Sequence, residues 1–162
     1  MNIVVSDTTA LIILAKADTL NLLSNLFSNI YIPKAVFEEL NFKDDIVKYR
    51  VNKFDIIQLK EISNIDILNT IKKFNIDKGE IEAITLALEL KSMLIIDEKK
   101  GRKIALQQNL KIVGILGILI QNYRLDFINL EDVKYYFTLF KNNGLRVNQT
   151  LENQFFTMLI DI

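Results

Sequence analysis

Short apolar runs alternate with helix-spaced segments along most of this 162-residue chain, and that alternation restricts its possible folds more than any other feature. Strands are expected at residues 2–6, 30–32, 54–59, 93–96 and 110–113. Between them, apolar residues recur three or four apart at 10–17, 20–27, 33–40, 44–51, 66–74, 77–90 and 99–108, with a further helix from about 115. This predicts an α/β fold: a mostly parallel sheet with right-handed crossovers and helices on both faces. Beyond about residue 125 only helices are expected, at 130–141 and 150–159. Their aromatic residues Tyr135, Tyr136, Phe137, Phe140, Phe155 and Phe156 need burial, on this domain or against a partner chain. The length suits one domain over 1–162, with a core at about 1–125 and C-terminal helices at about 126–162.

Composition narrows the chemistry. The chain has no Cys and no His, which excludes a disulfide, a Cys nucleophile, an imidazole base and a His- or Cys-ligated zinc site. What remains for hydrolysis is carboxylate chemistry, and hard oxygen ligands suit magnesium or manganese. Twenty basic residues balance twenty acidic ones, so no net field selects a nucleic acid or a membrane as partner. The longest apolar run, 112–120, is interrupted by two glycines and is far short of the roughly 20 residues of a membrane-spanning helix. The first apolar run, broken by Asp7, lacks the pattern of a signal peptide, and a cytoplasmic location is expected.

Two expected strands end in an acid. Asp7 follows Ile3-Val4-Val5-Ser6, and Asp97 follows Met93-Leu94-Ile95-Ile96. Open α/β sheets bind ligands outside the carboxyl ends of their strands, at the point where strand order reverses. A single strand-end Asp is commonly a helix cap. A pair of them becomes a site if the first and fourth strands are neighbours, with Glu98 beside Asp97 as a substitute or assistant.

Helical periodicity brings in further acids. In 33–40, Val36, Phe37 and Leu40 form a stripe, with Glu38 opposite and Glu39 at its edge. In 77–90, Glu80 falls amid the apolar stripe of Ala83, Ile84, Ala87 and Leu88, whereas Glu82 and Glu89 share the opposite polar face with Thr85. Two readings of Glu80 stand side by side. Asp77-Lys78-Gly79-Glu80 has the spacing of a capping box, in which Glu80 bonds back to the Asp77 backbone. A buried carboxylate equally well fits a metal cation. Gly79 leaves the neighbouring surface bare. After Asp97, the run Lys99, Lys100, Arg102 and Lys103 is either a solvated helix start or a set of contacts for phosphates flanking a scissile bond.

Taken in order, Val5-Ser6-Asp7-Thr8-Thr9-Ala10-Leu11, Ile32-Pro33 through Glu39-Leu40, Gly79-Glu80 through Ile84, Leu94 through Glu98, and Gly101-Arg102 through Gly114-Ile115-Leu116-Gly117 resemble the PIN-domain family. The likeness is greatest to single-domain prokaryotic members akin to VapC-type toxins and covers about residues 1–120. It implies a Rossmann-like sheet of about five strands ordered 3-2-1-4-5, with one or two Mg2+ or Mn2+ ions in an acidic pocket. It also implies hydrolysis of single-stranded RNA, a small antitoxin partner and a homodimer. Asp7, Glu39, Glu80 and Asp97 match the family's catalytic acids, with Asp7, Glu80 and Asp97 as metal ligands. Thr8 or Thr9 matches the hydroxyl that supports the first Asp. The small polar residue common near the fourth acid is replaced by Ile96-Asp97-Glu98, which leaves Asp97 and Glu98 as alternatives there.

Two other readings remain. One is a catalytically degenerate PIN-like module that binds RNA or protein without turnover. The other is an enzyme of the same chemistry acting on a phosphomonoester or a DNA flap.

Overall fold

The computed structural model describes residues 2–160. The first strand, β1 (Ile3–Ser6), leads into α1 (Thr8–Lys16), a single turn α2 (Asn21–Ser24), β2 (Asn29–Ile32), α3 (Lys34–Asn41), α4 (Ile46–Lys53) and β3 (Ile57–Leu59). The second half runs α5 (Ile65–Ile71), α6 (Lys78–Leu90), β4 (Met93–Ile95), α7 (Lys99–Gln107), β5 (Ile112–Val113) and α8 (Ile115–Arg124). Two further helices, α9 (Leu130–Asn142) and α10 (Gln149–Ile160), complete the described chain.

All five strands are parallel and lie in the order β3-β2-β1-β4-β5, as the resemblance implies. Val4 and Val5 at the sheet's centre are fully buried, as are Ile30 and Leu94 on the neighbouring strands. Near-continuous apolar strands of this kind mark a parallel sheet covered on both faces. Because β1 pairs with β2 on one side and β4 on the other, strand order reverses at the carboxyl end of β1. The switch point therefore lies where the sequence places Asp7.

Several expected elements are shorter than their apolar patterns. The strand expected at 54–59 begins only at Ile57, because the Phe54 N–H closes α4 on Val51 O (3.1 Å) and Ile57 N–H turns back to Phe54 O (3.0 Å). The helix expected at 20–27 is one turn, with the Leu26 and Phe27 N–H groups both returning to Leu23 O at 3.0 and 2.9 Å. Asp18, in left-handed conformation (φ 56°), supplies the kink that precedes it. The C-terminal apolar residues divide. Phe137, Phe140 and Phe155 are buried, and the Phe137 and Phe155 rings stack at 5.3 Å, whereas Tyr135 and Ile160 stay exposed.

The largest departure concerns α6. Thr85, expected on a solvent-facing side, is fully buried, because α3 and α5 pack along α6 in addition to the sheet. Its hydroxyl is satisfied by Ile81 O at 2.7 Å. The acids of that face serve as caps for neighbouring elements. Glu82 Oε1 accepts Ala35 N–H at 3.0 Å, and Glu89 Oε1 accepts Ser63 N–H (2.8 Å), Asn64 N–H (2.6 Å) and the Ser63 hydroxyl.

Candidate acidic site at the switch point

Asp7 is the first residue beyond β1, and its N–H donates to Ile95 O of β4 at 3.0 Å, so the sheet ladder itself fixes it. Its side chain also begins α1, with Oδ1 accepting Ala10 N–H at a long 3.4 Å. Capping accounts for only that oxygen. Oδ2 is buried without a hydrogen-bond partner, and the residue is 1% exposed. Burial first, then the charges of Asp97 and Glu80, raise its pKa well above the usual carboxylate range.

Glu80 occupies the first turn of α6 and is 8% exposed. Half of the expected capping box forms: Asp77 Oδ1 accepts Glu80 N–H at 2.8 Å. The reciprocal bond from Asp77 N–H does not reach hydrogen-bond geometry, and Glu80 Oε2 is buried without a partner. Burial, then the Asp77 carboxylate beside it, and Glu98 push the Glu80 pKa up to about 8.

Asp97 lies beyond β4 and receives Ile115 N–H on both carboxylate oxygens, at 3.3 and 3.2 Å, which makes it a cap for α8. Burial lifts its pKa to about 6, while that N–H and the Arg102 guanidinium hold it down. Glu39 projects from the last turns of α3. The residue is exposed as a whole, yet its carboxylate lies over Gly79, partly desolvated, and its pKa is raised in consequence. The neighbouring Thr8 hydroxyl opposes that rise without making a well-formed hydrogen bond, and Thr8 Oγ1 is a third buried atom left unpartnered.

The remaining expected residues surround this group. Thr9 Oγ1 donates to Glu98 Oε1 at 3.3 Å, tying the start of α1 to the segment after β4. Lys99, Lys100, Arg102 and Lys103 are exposed on the first turns of α7, and only Arg102 turns toward Asp97. Sequence reasoning passed over Asp77 as a cap, although its carboxylate acts on both Glu39 and Glu80. It also passed over Glu82, whose contact with α3 has no local signature.

Several acids with raised pKa values and three orphaned oxygens form a donor set that suits a hard divalent cation. Their side chains are not drawn into a closed shell: among the described residues, no group of three acids is close enough to hold an ion as it stands.

Fold and site together define a doubly wound α/β protein with an acid-lined crevice at its switch point. The model of a family described as PIN domain matches residues 3–159, and the chain belongs to the PIN-domain family, a family of nucleases. Among solved structures it is similar to VapBC2 from Rickettsia felis bound to a DNA fragment from their promoter. That likeness has a TM-score of 0.53 at 15% identity and covers 69% of this chain and 98% of the other, a similarity of fold. No curated protein sequence matches. No helix among the described residues is long and apolar enough to cross a membrane.

Proposed function

We propose that this protein is a magnesium- or manganese-dependent endoribonuclease that hydrolyses phosphodiester bonds of single-stranded RNA, acting as the toxin of a toxin–antitoxin pair. The observation that carries this reading is the set of buried, unpartnered oxygens on Asp7, Thr8 and Glu80 at the carboxyl end of the sheet. A buried polar group is normally paired, and one left unpaired costs about 1–3 kcal/mol, so the set supports the reading that a cation binds there. Asp7, Glu80 and Asp97 would hold the ion, with Thr8, Thr9 and Glu98 steadying them. A divalent ion bound there supplies an activated water and offsets charge on the reacting phosphate.

Glu39, on the solvent side of the cluster, accepts a hydrogen bond from the attacking water and orients it. Lys99, Lys100, Arg102 and Lys103 bind the phosphates flanking the scissile bond. Membership of the PIN-domain family supports the nuclease class. The fold likeness to VapBC2 supports an antitoxin partner, and action in the cytoplasm is part of the same reading. Exposed Phe42, Ile46 and Tyr49 on the α3–α4 side offer a surface for a homodimer.

A second reading, a degenerate module that binds RNA or protein without turnover, is favoured by the lack of a closed three-acid group among the described residues. The two separate when the protein is incubated with assorted single-stranded RNAs in Mg2+, Mn2+ or chelator, alongside Asp7→Asn and Glu80→Gln. The nuclease reading expects cleavage only with metal, lost in both variants. Cleavage that survives both substitutions removes these residues from the site. RNA binding without cleavage under any condition selects the second reading.

A further inference from the structure

Four of the five glycines stand at the starts of helices, and three of these, Gly79, Gly101 and Gly114, each meet a different acid. A Cβ on Gly79, at the start of α6, would run into the Glu39 carboxylate, with its Cδ at 3.2 Å, and would lie 3.4 Å from Thr8 Oγ1. On Gly101, in the first turn of α7, it would strike the Glu80 carboxylate, with Cδ at 3.2 Å, and Ile96 Cδ1 at 2.7 Å. On Gly114, the residue preceding α8, it would lie 2.6 Å from Asp97 Oδ1 and 3.3 Å from Arg102 Nη1. None of these backbones requires glycine: among the described residues only Gly144 is a glycine with positive φ. Alanine is the better helix former, so the two glycines inside α6 and α7 are unfavourable for the helices that contain them.

We propose that Gly79, Gly101 and Gly114 are positioning residues, each a bare seat at the N-terminal end of a helix that admits one carboxylate, Glu39, Glu80 and Asp97 respectively. Each acid thereby rests on the element that follows its own in the site: Glu39 of α3 on α6, Glu80 of α6 on α7, and Asp97 after β4 on the start of α8. The arrangement draws side chains from separate elements toward the crevice at a separation that no single helix could set. Its value for metal binding rests on the nuclease reading, whereas the seating itself does not.

The test uses Gly79→Ala and Gly101→Ala, with Gly117→Ala as the control, because a Cβ on Gly117 presses on Val113 Cγ2 at 2.7 Å and meets no acid. Crystal structures of the two seat variants should superpose on the wild type except for a displaced Glu39 or Glu80 carboxylate and, in Gly101→Ala, a shifted Ile96 side chain. Calorimetric titration with Mn2+ should show affinity reduced about 10- to 100-fold in the seat variants, the range for loss of an outer-shell partner, and unchanged in the control. An unmoved carboxylate overturns the seats, as does wild-type Mn2+ affinity in both seat variants. Wild-type protein that binds no Mn2+ contradicts the nuclease reading instead, and the crystallographic comparison still decides the seats.

Discussion

Glu82 Oε1 accepts the Ala35 backbone N–H at 3.0 Å and so makes α6 the cap of α3. The residue before α3 is Pro33, which has no side-chain acceptor to offer its helix. The helix that presents Glu80 to the crevice thus also anchors the helix that carries Glu39. Replacing a cap acceptor by Ala typically costs about 1 kcal/mol, which for a chain of this size is about 2–4 °C in melting temperature. Glu82→Ala should therefore melt lower by that amount and weaken RNA cleavage, while Glu82→Gln, which keeps a carbonyl acceptor, should retain both. Equal losses in Ala and Gln variants would assign Glu82 a role through charge and not as a cap.

The acid cluster gives the metal-free protein an unusual pH dependence. The Asp97 carboxyl is pushed up to about 6 and that of Glu80 up to about 8, and Asp7 is raised as well. Unfolded, these groups titrate near about pH 4. Between about pH 4 and 8 the native state therefore binds more protons than the unfolded chain, and stability must fall as pH rises through that window. Thermal melts in chelator should drop from about pH 5 to about pH 8. Mn2+ at about pH 8 should restore the loss, because the ion binds the deprotonated acids where the native fold gathers them and not in the unfolded chain. A melting temperature that climbs across the same interval would contradict the raised pKa values.

Asp7→Asn separates stability from activity. It replaces a buried carboxyl that stands beside two other acids with a neutral amide, and Asn can keep the cap to Ala10 N–H through its side-chain carbonyl. In chelator at about pH 8 this variant should melt at or above the wild-type temperature, yet lose more cleavage than the about 100-fold that loss of an outer-shell partner costs. A variant that melts well below wild type would make the activity loss a folding effect.

The basic run on α7 predicts a salt signature. Each phosphate contact on a single strand contributes about 0.7 to the slope of log binding constant against log salt. With RNA in chelator, Lys99→Ala, Lys100→Ala and Lys103→Ala should each reduce that slope by about this amount without changing the melting temperature, since all three are exposed. An unchanged slope in all three would place the RNA on another face.

What was legible in the sequence was what local pattern encodes. Asp7 and Asp97 are legible as candidates because each ends an apolar strand, and the parallel pairing of β1 with β4 brings those strand ends side by side. Glu80 is legible as a candidate because an acid interrupts an apolar stripe, and its burial follows from that position. Thr85 was misplaced for the complementary reason. A helical wheel assumes one solvent side, and α6 has neighbours on several, a property of the packing of α3 and α5 that no periodicity in α6 reports. The same blindness hid Glu82, whose partner is 47 residues away. Phe54 and Ile56 carried strand-like apolarity into what is a turn, because hydrogen bonds closing α4 compete with the sheet for that backbone.

The account stands most directly on whether the buried oxygens around Asp7 bind a divalent cation. Isothermal titration of Mn2+ into wild-type protein at about pH 8, beside the same titration of Asp7→Asn, measures it. The account predicts saturable binding accompanied by proton release in the wild type, and loss of that binding in the variant. A wild type with no saturable heat, or a variant that binds Mn2+ as well as the wild type, would contradict it.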